Sequence, residues 1–250
     1  MLDKSRKSAK LNVSNEEVAR FDALAESWWD PNGQYKTALA FNQARLSIIK
    51  SIIDRHFGIN HSTDGYNTLS IVDIGSGGGL ISEPLAQLGA QVTGIDASAV
   101  SVEVATRHAE KQNINVDYRH MLSSEMVAEG KQFDVVINAE VVEHVPDQQG
   151  LIEDCKALVT PGGLLVLATL NKTLKSFVIA IVGAEYVMRY LPVGTHDWKK
   201  FVTPQTLNHW VGDEFSLCYE EGLKLNPLSG KWKPTSSLAV NYIQAYARKR

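Results

Sequence analysis

Short β-branched runs alternate with helix-forming runs between residues 69 and 170, and this alternation constrains the fold more than any other feature. The predicted strands are LSIVDIG, QVTGID, VDYRHM, FDVVINA and LLVLATL. Between them lie ISEPLAQLG, SAVSVEVATRHAEKQN, SSEMVAEG and QQGLIEDCKALVTPGG, the last predicted to be a helix with a Pro-Gly-Gly stop. Because strand–helix–strand crossovers are right-handed, the pattern predicts an α/β fold with a mostly parallel sheet and helices on both faces.

A glycine-rich loop, VDIGSGGGL, follows the first predicted strand and opens the next helix. Gly75 and Gly77 let the backbone turn sharply and approach a ligand. Asp96 ends the second strand, where a carboxylate can accept hydrogen bonds from both ribose hydroxyls of an adenosine. Because ligands of parallel sheets bind beyond the carboxyl ends of the strands, loop and acid together indicate a nucleoside site.

The loop departs from the dinucleotide pattern G-x-G-x-x-G, since Leu80 stands where the third glycine is needed. It matches D-x-G-x-G-x-G, the S-adenosylmethionine loop of Rossmann-like methyltransferases. That ligand has no pyrophosphate to hold. Asp73 would then orient or receive its amino-acid end, and the competing interpretation is an acid that caps the turn.

The run INAEVVEHV places Glu140, Glu143 and His144 directly after the fourth predicted strand. In a helix the three would share one face, because they are spaced i, i+3 and i+4. In an extended segment Glu140 and His144 would still lie on one side. Three interpretations stay open at this point: a metal site, a proton acceptor or a polar loop.

We predict a single domain over residues 1–250, with a flexible polar arm at 1–14 and an N-terminal helical cap at 15–58. Residues 171–203 form a predicted apolar helical insertion after strand five. Its centre, FVIAIVGA, is apolar all round, but the run is shorter than the roughly 20 residues of a membrane span. A core or dimer helix and an interfacial segment are both consistent with that length.

The composition argues against several classes of protein. A formal net charge of -3 gives no reason to expect nucleic acid, whose binding usually needs a concentrated basic surface. The basic residues at the start are followed by no apolar segment, so no secretory signal is predicted. Cys155 and Cys218 lie far apart, as expected for two reduced thiols in a cytoplasmic protein.

The chain resembles class I methyltransferases and, more narrowly, the ubiquinone biosynthesis O-methyltransferases. The resemblance runs from about residue 18 to the end. It rests on the blocks RFDALAESWWDPNG, VDIGSGGGLISEPLAQLGAQVTGID, AEVVEHV, VTPGGLLVLATLN, VGAEYVMRYLPVGTHDWKKFVTP and GLKLNPLSGKWKP, the last followed by VNY. The glycine block identifies only the superfamily, whereas the W-W-D, G-T-H-D-W-K-K-F and N-P blocks are far more specific.

The resemblance implies a Rossmann-like seven-stranded sheet and S-adenosylmethionine as cofactor, contacted by Arg45, Gly75, Asp96 and Ala139. Two positions depart from the family pattern. Gln43 replaces an expected proline, and Leu39 replaces a usual histidine. Because Arg45 is retained, these departures bear on how the N-terminal cap closes rather than on cofactor binding.

The implied acceptors are polyprenyl hydroxyphenols and demethylubiquinol, whose phenols have a pKa of about 10 and need deprotonation before methyl transfer. One hypothesis makes His144 the general base, polarised by Glu140 or Glu143. The other makes all three ligands of a divalent cation such as Mg²⁺, although a histidine suits that ion poorly. In the structural alternative Glu143 and His144 cap a helix and only Glu140 faces the ligand.

A membrane-resident acceptor implies a cytoplasmic enzyme peripheral to the inner face of the membrane, and we expect residues 174–190 to touch that surface. A quinone-biosynthesis complex is a further implied partner. The competing functions are methylation of another small molecule and a non-catalytic cofactor-binding scaffold. Weaker site candidates, each with an equally plausible structural role, are Trp28, Trp29, Asn171, His196 and Asp197.

Overall fold

The computed structural model describes residues 12–22, 28–29, 36–59, 65–179, 197–226 and 229–250. Two helices come first, α1 (Asn15–Asp22) and α2 (Lys36–Phe57). The alternating part follows as β1 (Ser70–Ile74), α3 (Ser82–Gln87), β2 (Gln91–Asp96), α4 (Ala99–Gln112), β3 (Asp117–His120), α5 (Ser123–Ala128), β4 (Phe133–Ala139), α6 (Gln148–Ala157) and β5 (Val159–Leu170). The last described elements are α7 (Leu174–Ser176), α8 (Pro204–Val211), β6 (Phe215–Asn226), β7 (Lys231–Thr235) and β8 (Asn241–Arg248).

The strands form one sheet in the order β3-β2-β1-β4-β5-β8-β6-β7. Strands β1 to β5 are mutually parallel, and β8 is antiparallel to both of its neighbours. The described residues thus confirm the predicted Rossmann-like, mostly parallel sheet. They form eight strands rather than seven, because β7 folds back on β6 as an additional edge strand. Its residues Lys231, Lys233 and Pro234 are typical of an edge that discourages further pairing.

Apolar side chains cover both faces of the sheet. Along β1, Ile71 packs in one core cluster and Val72 in the other, as the two-residue period of a strand requires. The first face is covered by α2, through Ile49 and Ile53, and the second by α6 and α8. Burial on both faces explains why these strands are nearly continuous apolar runs.

Short polar caps fix where the helices begin. The Ser98 hydroxyl accepts from the Ser101 amide at α4, and the Asp147 carboxylate accepts from the Gly150 amide at α6. The predicted Pro-Gly-Gly stop is wrong: α6 ends at Ala157, and residues 159–163 already belong to β5. The pairing with β4 shifts register there, so a bulge accommodates the glycines within the strand.

Two predicted segments lie partly outside the described residues. Of the arm at 1–14, only 12–14 are described, and Asn12 exchanges two hydrogen bonds with Asp147. Of the insertion at 171–203, residues 180–196 are not described. Among the helices that the structure does describe, none has the length and apolar character needed to cross a bilayer.

Candidate active site

A cavity of about 1170 Å³ lies at the carboxyl ends of β1, β2 and β4. The strand order reverses between β1 and β4, which is where open α/β sheets form their ligand crevice. The predicted site residues that line this cavity are Arg45, Asp73, Gly75, Asp96, Ala139, Glu140 and His144. Gly77 lies beside it in the glycine loop, and Glu143 lies behind it.

The glycine loop is held by the backbone of β2. The Gly75 amide donates to the Ile95 carbonyl at 2.8 Å, and the Gly77 amide donates to Asp96 Oδ2 at 2.9 Å. Gly75 has a φ of 76° and Gly77 a φ of 51°, in the left-handed region that glycine tolerates best. A Cβ on Gly77 would overlap the indole of Trp28, so this loop needs glycine for space as well as for conformation.

Asp96, at the end of β2, is held by two backbone amides. Its carboxylate accepts from the Ser98 amide at 2.8 Å in addition to the Gly77 amide. Burial raises the pKa of Asp96, and the two backbone amides partly offset that rise. A carboxylate bound in this way is fixed at the cavity wall with little rotamer freedom.

Asp73 is only 2% exposed and accepts a 2.6 Å hydrogen bond from the Ser82 hydroxyl. Burial raises the pKa of Asp73 to about 6, against lowering contributions from Ser82 and from the Arg45 guanidinium. The cost of burying this carboxylate is therefore only partly offset by the protein itself. A cationic group bound in the cavity would supply the missing compensation.

Arg45 connects α2 to the loop after β4. Its Nη1 lies 3.2 Å from Glu140 Oε1, and its Nη2 donates to Asn42 Oδ1 at 2.7 Å. Asn42 in turn donates to the Leu80 carbonyl at the end of the glycine loop. The two departures from the family pattern differ in place, since Leu39 lines the cavity whereas Gln43 faces solvent within a continuous α2.

The loop after β4 is not the helix that would place its three polar side chains on one face. Glu140 takes a left-handed backbone with a φ of 59°, and Val142–His144 form a single 3-10 turn. The chain therefore changes direction between Glu140 and Glu143. Glu140 points to Arg45, while Glu143 and His144 take separate partners.

Glu143 is 3% exposed and accepts a 2.8 Å hydrogen bond from the Thr169 hydroxyl. Burial is the largest cause that raises the pKa of Glu143 well above its ordinary value, followed by the charge of Glu140. The carboxyl lies behind the cavity wall rather than in it. Any influence of Glu143 on a bound acceptor would pass through Glu140.

His144 faces the cavity and contacts a residue that was not predicted from the sequence. Its Nδ1 lies 3.0 Å from Glu17 Oε2 on α1, and the ring of Phe21 meets its ring edge-on at 5.2 Å. The hydrogen bond with His144 is the main cause that lowers the pKa of Glu17. The pair joins two segments that are 127 residues apart in the chain.

The divalent ion site predicted from Glu140, Glu143 and His144 is not assembled. Among the described residues, no three His, Cys, Asp or Glu side chains converge in a way that could hold a metal ion. A hard cation needs several oxygen ligands around one point. The donor atoms of these three residues face Arg45, Thr169 and Glu17 instead, so the residues present do not fit such an ion.

The part of the cavity at the ends of β1 and β2 fits S-adenosylmethionine. Asp73 supplies an uncompensated carboxylate, and Asp96 ends β2 beside the glycine loop. Two serine hydroxyls of the lining, Ser76 Oγ and Ser101 Oγ, are buried without a hydrogen-bond partner among the described residues. Such groups are costly unless a ligand or water satisfies them, and the polar ends of an amino-acid nucleoside can do so.

Some of the weaker candidates line the cavity, and others stabilise the structure around it. Trp28 covers Gly77 and lines the cavity, while Trp29 donates to the Gly78 carbonyl and stacks on His108 with ring centroids 3.8 Å apart. Asp197 caps a 3-10 turn, and Asn171 donates to the Leu238 carbonyl. Both are structural anchors in this arrangement. His196 lies outside the described residues.

Sequence reasoning missed Glu17, Phe21 and Asn42. Phe21 stood within the block RFDALAESWWDPNG. Asn42 lies three residues before Arg45, and that helical spacing was the available signal. Glu17 had no comparable signal, because an acid in the first turn of a helix is common. Only the packing of α1 against the loop after β4 identifies it.

Residues 72–167 match the family model described as a methyltransferase domain. The chain is 42% identical over 252 residues to a ubiquinone biosynthesis O-methyltransferase of Parvibaculum lavamentivorans, with 100% of each chain covered. It is 46% identical to the protein of the same name from Paramagnetospirillum magneticum, with 92% of this chain and 93% of that one covered.

Solved structures share the fold at low identity. A magnesium protoporphyrin IX methyltransferase from Synechocystis with bound SAM has a TM-score of 0.60 at 18% identity, covering 96% of this chain and 100% of that one. A protein from Pyrococcus horikoshii has a TM-score of 0.63 at 16% identity, covering 92% and 99%. These likenesses support the fold and leave the acceptor to be argued from the site.

Proposed function

The chain belongs to the ubiquinone biosynthesis O-methyltransferase family, and on that premise we propose that it methylates a phenolic hydroxyl of a polyprenyl phenol or quinol. It is an S-adenosylmethionine-dependent methyltransferase. The cofactor supplies a methyl group on a positively charged sulfur. The protein's own task is to hold the acceptor oxygen in line with that methyl group and to remove the phenolic proton.

Cofactor contacts are proposed at the ends of β1 and β2. Asp96 would accept from the ribose hydroxyls, and Gly75 would let the backbone approach the ligand without a Cβ in the way. Asp73 and Arg45 would face the amino-acid end, with opposite charges toward its ammonium and carboxylate groups. Ala139 lines the same wall at the end of β4.

His144 is the proposed general base. A carboxylate can only accept a hydrogen bond, so the contact with Glu17 places the ring proton on Nδ1 and the lone pair on Nε2. Nε2 would receive the phenolic proton as the acceptor oxygen takes the methyl group, whose bond to the cofactor sulfur would break with the electron pair left on sulfur. Glu140 and Glu143 are proposed to act indirectly, Glu140 through its ion pair with Arg45 and Glu143 through Glu140.

One observation carries this proposal: a single cavity joins the predicted cofactor residues, the His144 ring and an apolar exit. That exit is bounded by Val178 and Ile179, which line the cavity and are 50% and 45% exposed. We call Leu174, Phe177, Val178 and Ile179 the apolar rim. A prenyl tail could leave the cavity over this rim, whereas a small soluble acceptor would not require an apolar rim.

We further propose that the apolar rim, within residues 174–190, contacts the membrane surface. Leu174 is 75% exposed, and such a cluster of exposed apolar side chains beside a cavity is typical of an interaction site. Lys172 lies just before the rim and Lys175 within it, and both would favour an anionic leaflet.

Liposome flotation tests the membrane contact. Replacing Phe177, Val178 and Ile179 by serine should abolish co-flotation with anionic vesicles and leave cofactor binding intact. Leu217→Ser is the matched control, because Leu217 is an equally exposed apolar residue on β6, outside the rim. Unchanged flotation of the triple variant would refute the contact.

The enzymatic proposal is tested by incubating the pure protein with S-adenosylmethionine and a short-chain catechol, with and without a chelator. We expect methylated product in both arms, because the described residues do not assemble an ion site. No product in either arm, with the cofactor bound, would remove this acceptor class. Loss of product only with the chelator would restore the ion hypothesis.

The assignment of the base is tested separately with His144→Ala. Loss of general base catalysis typically costs about 10²- to 10⁴-fold in rate. Turnover equal to that of the unmodified enzyme would remove His144 from the mechanism without affecting the family assignment.

A further inference from the structure

Helix α1 lies across the cavity and is fastened at both ends. Before its first turn, Asn12 donates to the Asp147 carbonyl at 2.7 Å and accepts from the Asp147 amide at 2.8 Å. At its last residue, Asp22 accepts from the Ser98 hydroxyl. Asp147 follows β4 and Ser98 follows β2, so the helix spans the two loops that form the opposite walls of the site.

Between these fastenings, α1 presents Glu17 to His144. Glu17 Oε2 lies 3.0 Å from His144 Nδ1, and its side chain is only 15% exposed. Arg20 Nη1 lies 3.3 Å and Lys200 Nζ 3.9 Å from the same carboxylate, so the Glu17 rotamer is held from two further sides. Phe21 packs edge-on against the imidazole ring and limits its rotation.

This geometry matches what a ring base requires from a neighbouring carboxylate. An imidazole can take the acceptor proton on Nε2 only when the other ring nitrogen, Nδ1, carries the ring proton. A carboxylate at Nδ1 selects that tautomer, fixes the ring plane and stabilises the imidazolium that forms. Glu140 and Glu143, the two acids that closely precede His144 in sequence, are directed to Arg45 and Thr169 instead.

We propose that Glu17 is the positioning residue for His144, and that α1 completes the site by delivering it. This inference rests on the proposed role of His144 as the base. It adds a residue from outside the α/β core to the reaction machinery. It also means that α1 orients the base when it packs over the cavity.

The test compares Glu17→Gln with Glu16→Gln. Glutamine keeps the length of the side chain, but its amide can donate as well as accept, so it no longer selects one tautomer. Glu16 is the matched control, since it occupies the same turn and its side chain is 87% exposed. We expect Glu17→Gln to lower kcat on the order of 10- to 100-fold, with acceptor KM and cofactor Kd within twofold. Glu16→Gln should leave all three constants unchanged.

Two further measurements separate positioning from folding. Glu17→Asp restores the charge on a shorter side chain and should recover part of the lost kcat. The ¹⁵N shifts of the His144 ring, measured on the folded, cofactor-bound protein, should indicate the Nδ1-protonated tautomer in the unmodified enzyme. In Glu17→Gln they should indicate a mixture of tautomers.

Each contrary outcome has a distinct meaning. Unchanged kcat and ring shifts in Glu17→Gln, alongside an inactive His144→Ala, would refute the role of Glu17 and leave the proposed base in place. A rise in KM or cofactor Kd with unchanged kcat would reduce Glu17 to a closing contact and also refute the proposal. Full activity of His144→Ala would remove the base itself, and with it the premise.

Discussion

The two walls of the cavity are built differently. The cofactor wall, at the ends of β1 and β2, is held mainly by backbone amides, such as the Gly77 amide on Asp96. The acceptor wall, after β4, is held by pairs of side chains from different segments: Glu17 with His144, Arg45 with Glu140, and Thr169 with Glu143. One wall depends on backbone geometry and the other on side-chain packing.

The difference has a functional consequence. A backbone-held wall is preorganised and changes little when a ligand arrives, which suits a cofactor whose shape is constant. A wall held by side-chain pairs can be altered one contact at a time and can close when α1 is seated. We therefore expect substitutions at the cofactor wall to act mainly on cofactor binding, and those at the acceptor wall to act separately on turnover and on stability.

Gly75→Ala should have the largest effect on cofactor affinity, because Gly75 is where the two walls meet. A Cβ there would overlap the Val141 side chain of the acceptor wall, in a backbone with a φ of 76°. We expect cofactor affinity to fall by about 100-fold or more, as measured by calorimetry, equivalent to roughly 3 kcal/mol.

Gly58→Ala is the control for backbone strain alone. Its φ is 67°, but nothing lies within 4 Å of the added Cβ. It should cost stability of about 1 kcal/mol and leave cofactor affinity unchanged. Equal losses of affinity in both variants would mean that strain, rather than contact between the walls, explains the need for glycine.

Asp73→Asn should act with opposite signs on stability and on binding. The pKa of about 6 for Asp73 in the folded state lies above its ordinary value of 3.8, so the folded state holds the proton more tightly. The penalty is absent below pH 3.8, grows as the pH rises and is complete above about 6. Removing the charge should therefore raise the stability of the ligand-free protein at pH 7.5 by roughly 2–3 kcal/mol.

The same substitution should weaken cofactor binding by about tenfold, because the ammonium group of the ligand loses its counter-charge. Urea unfolding at pH 3.5 and 7.5 and calorimetry at pH 7.5 measure the two effects. A variant less stable than the unmodified protein at pH 7.5 would contradict the proposal that Asp73 is an uncompensated carboxylate awaiting a cation.

The same division explains what the sequence could predict. The strands from β1 to β5, the glycine loop and the place of Asp96 followed from short-range rules of periodicity and turn geometry. The divergence of Glu140, Glu143 and His144 did not, because it depends on a positive φ at Glu140 and on partners far away in the chain. The prediction of the α6–β5 boundary failed for a related reason. Pairing with β4 places Val159 in the strand, although Pro161 follows two residues later.

A double-mutant cycle on Arg45 and Glu140 sharpens the comparison at the acceptor wall. The two side chains are 10% and 24% exposed, and their charged atoms lie 3.2 Å apart. Arg45→Met, Glu140→Gln and the double variant should give a coupling energy of roughly 1–2 kcal/mol in urea unfolding. The exposed Glu103–Arg107 pair is the control, with an expected coupling below about 0.5 kcal/mol. Equal couplings would mean that the Arg45–Glu140 pair behaves as an ordinary surface contact.

Glu143→Gln should have the smallest effect, although the sequence singled out Glu143 as strongly as its neighbours. Burial and the charge of Glu140 raise the pKa of Glu143 well above its ordinary value, which favours the neutral carboxyl, the form that an amide matches closely. Glutamine still accepts from the Thr169 hydroxyl, so we expect kcat within about threefold of the unmodified enzyme and unchanged stability. Thr169→Val, which removes the donor instead, should cost more. A hundredfold loss of kcat in Glu143→Gln would require a charged Glu143. It would mean that this residue takes part in the chemistry and does not only support the acceptor wall.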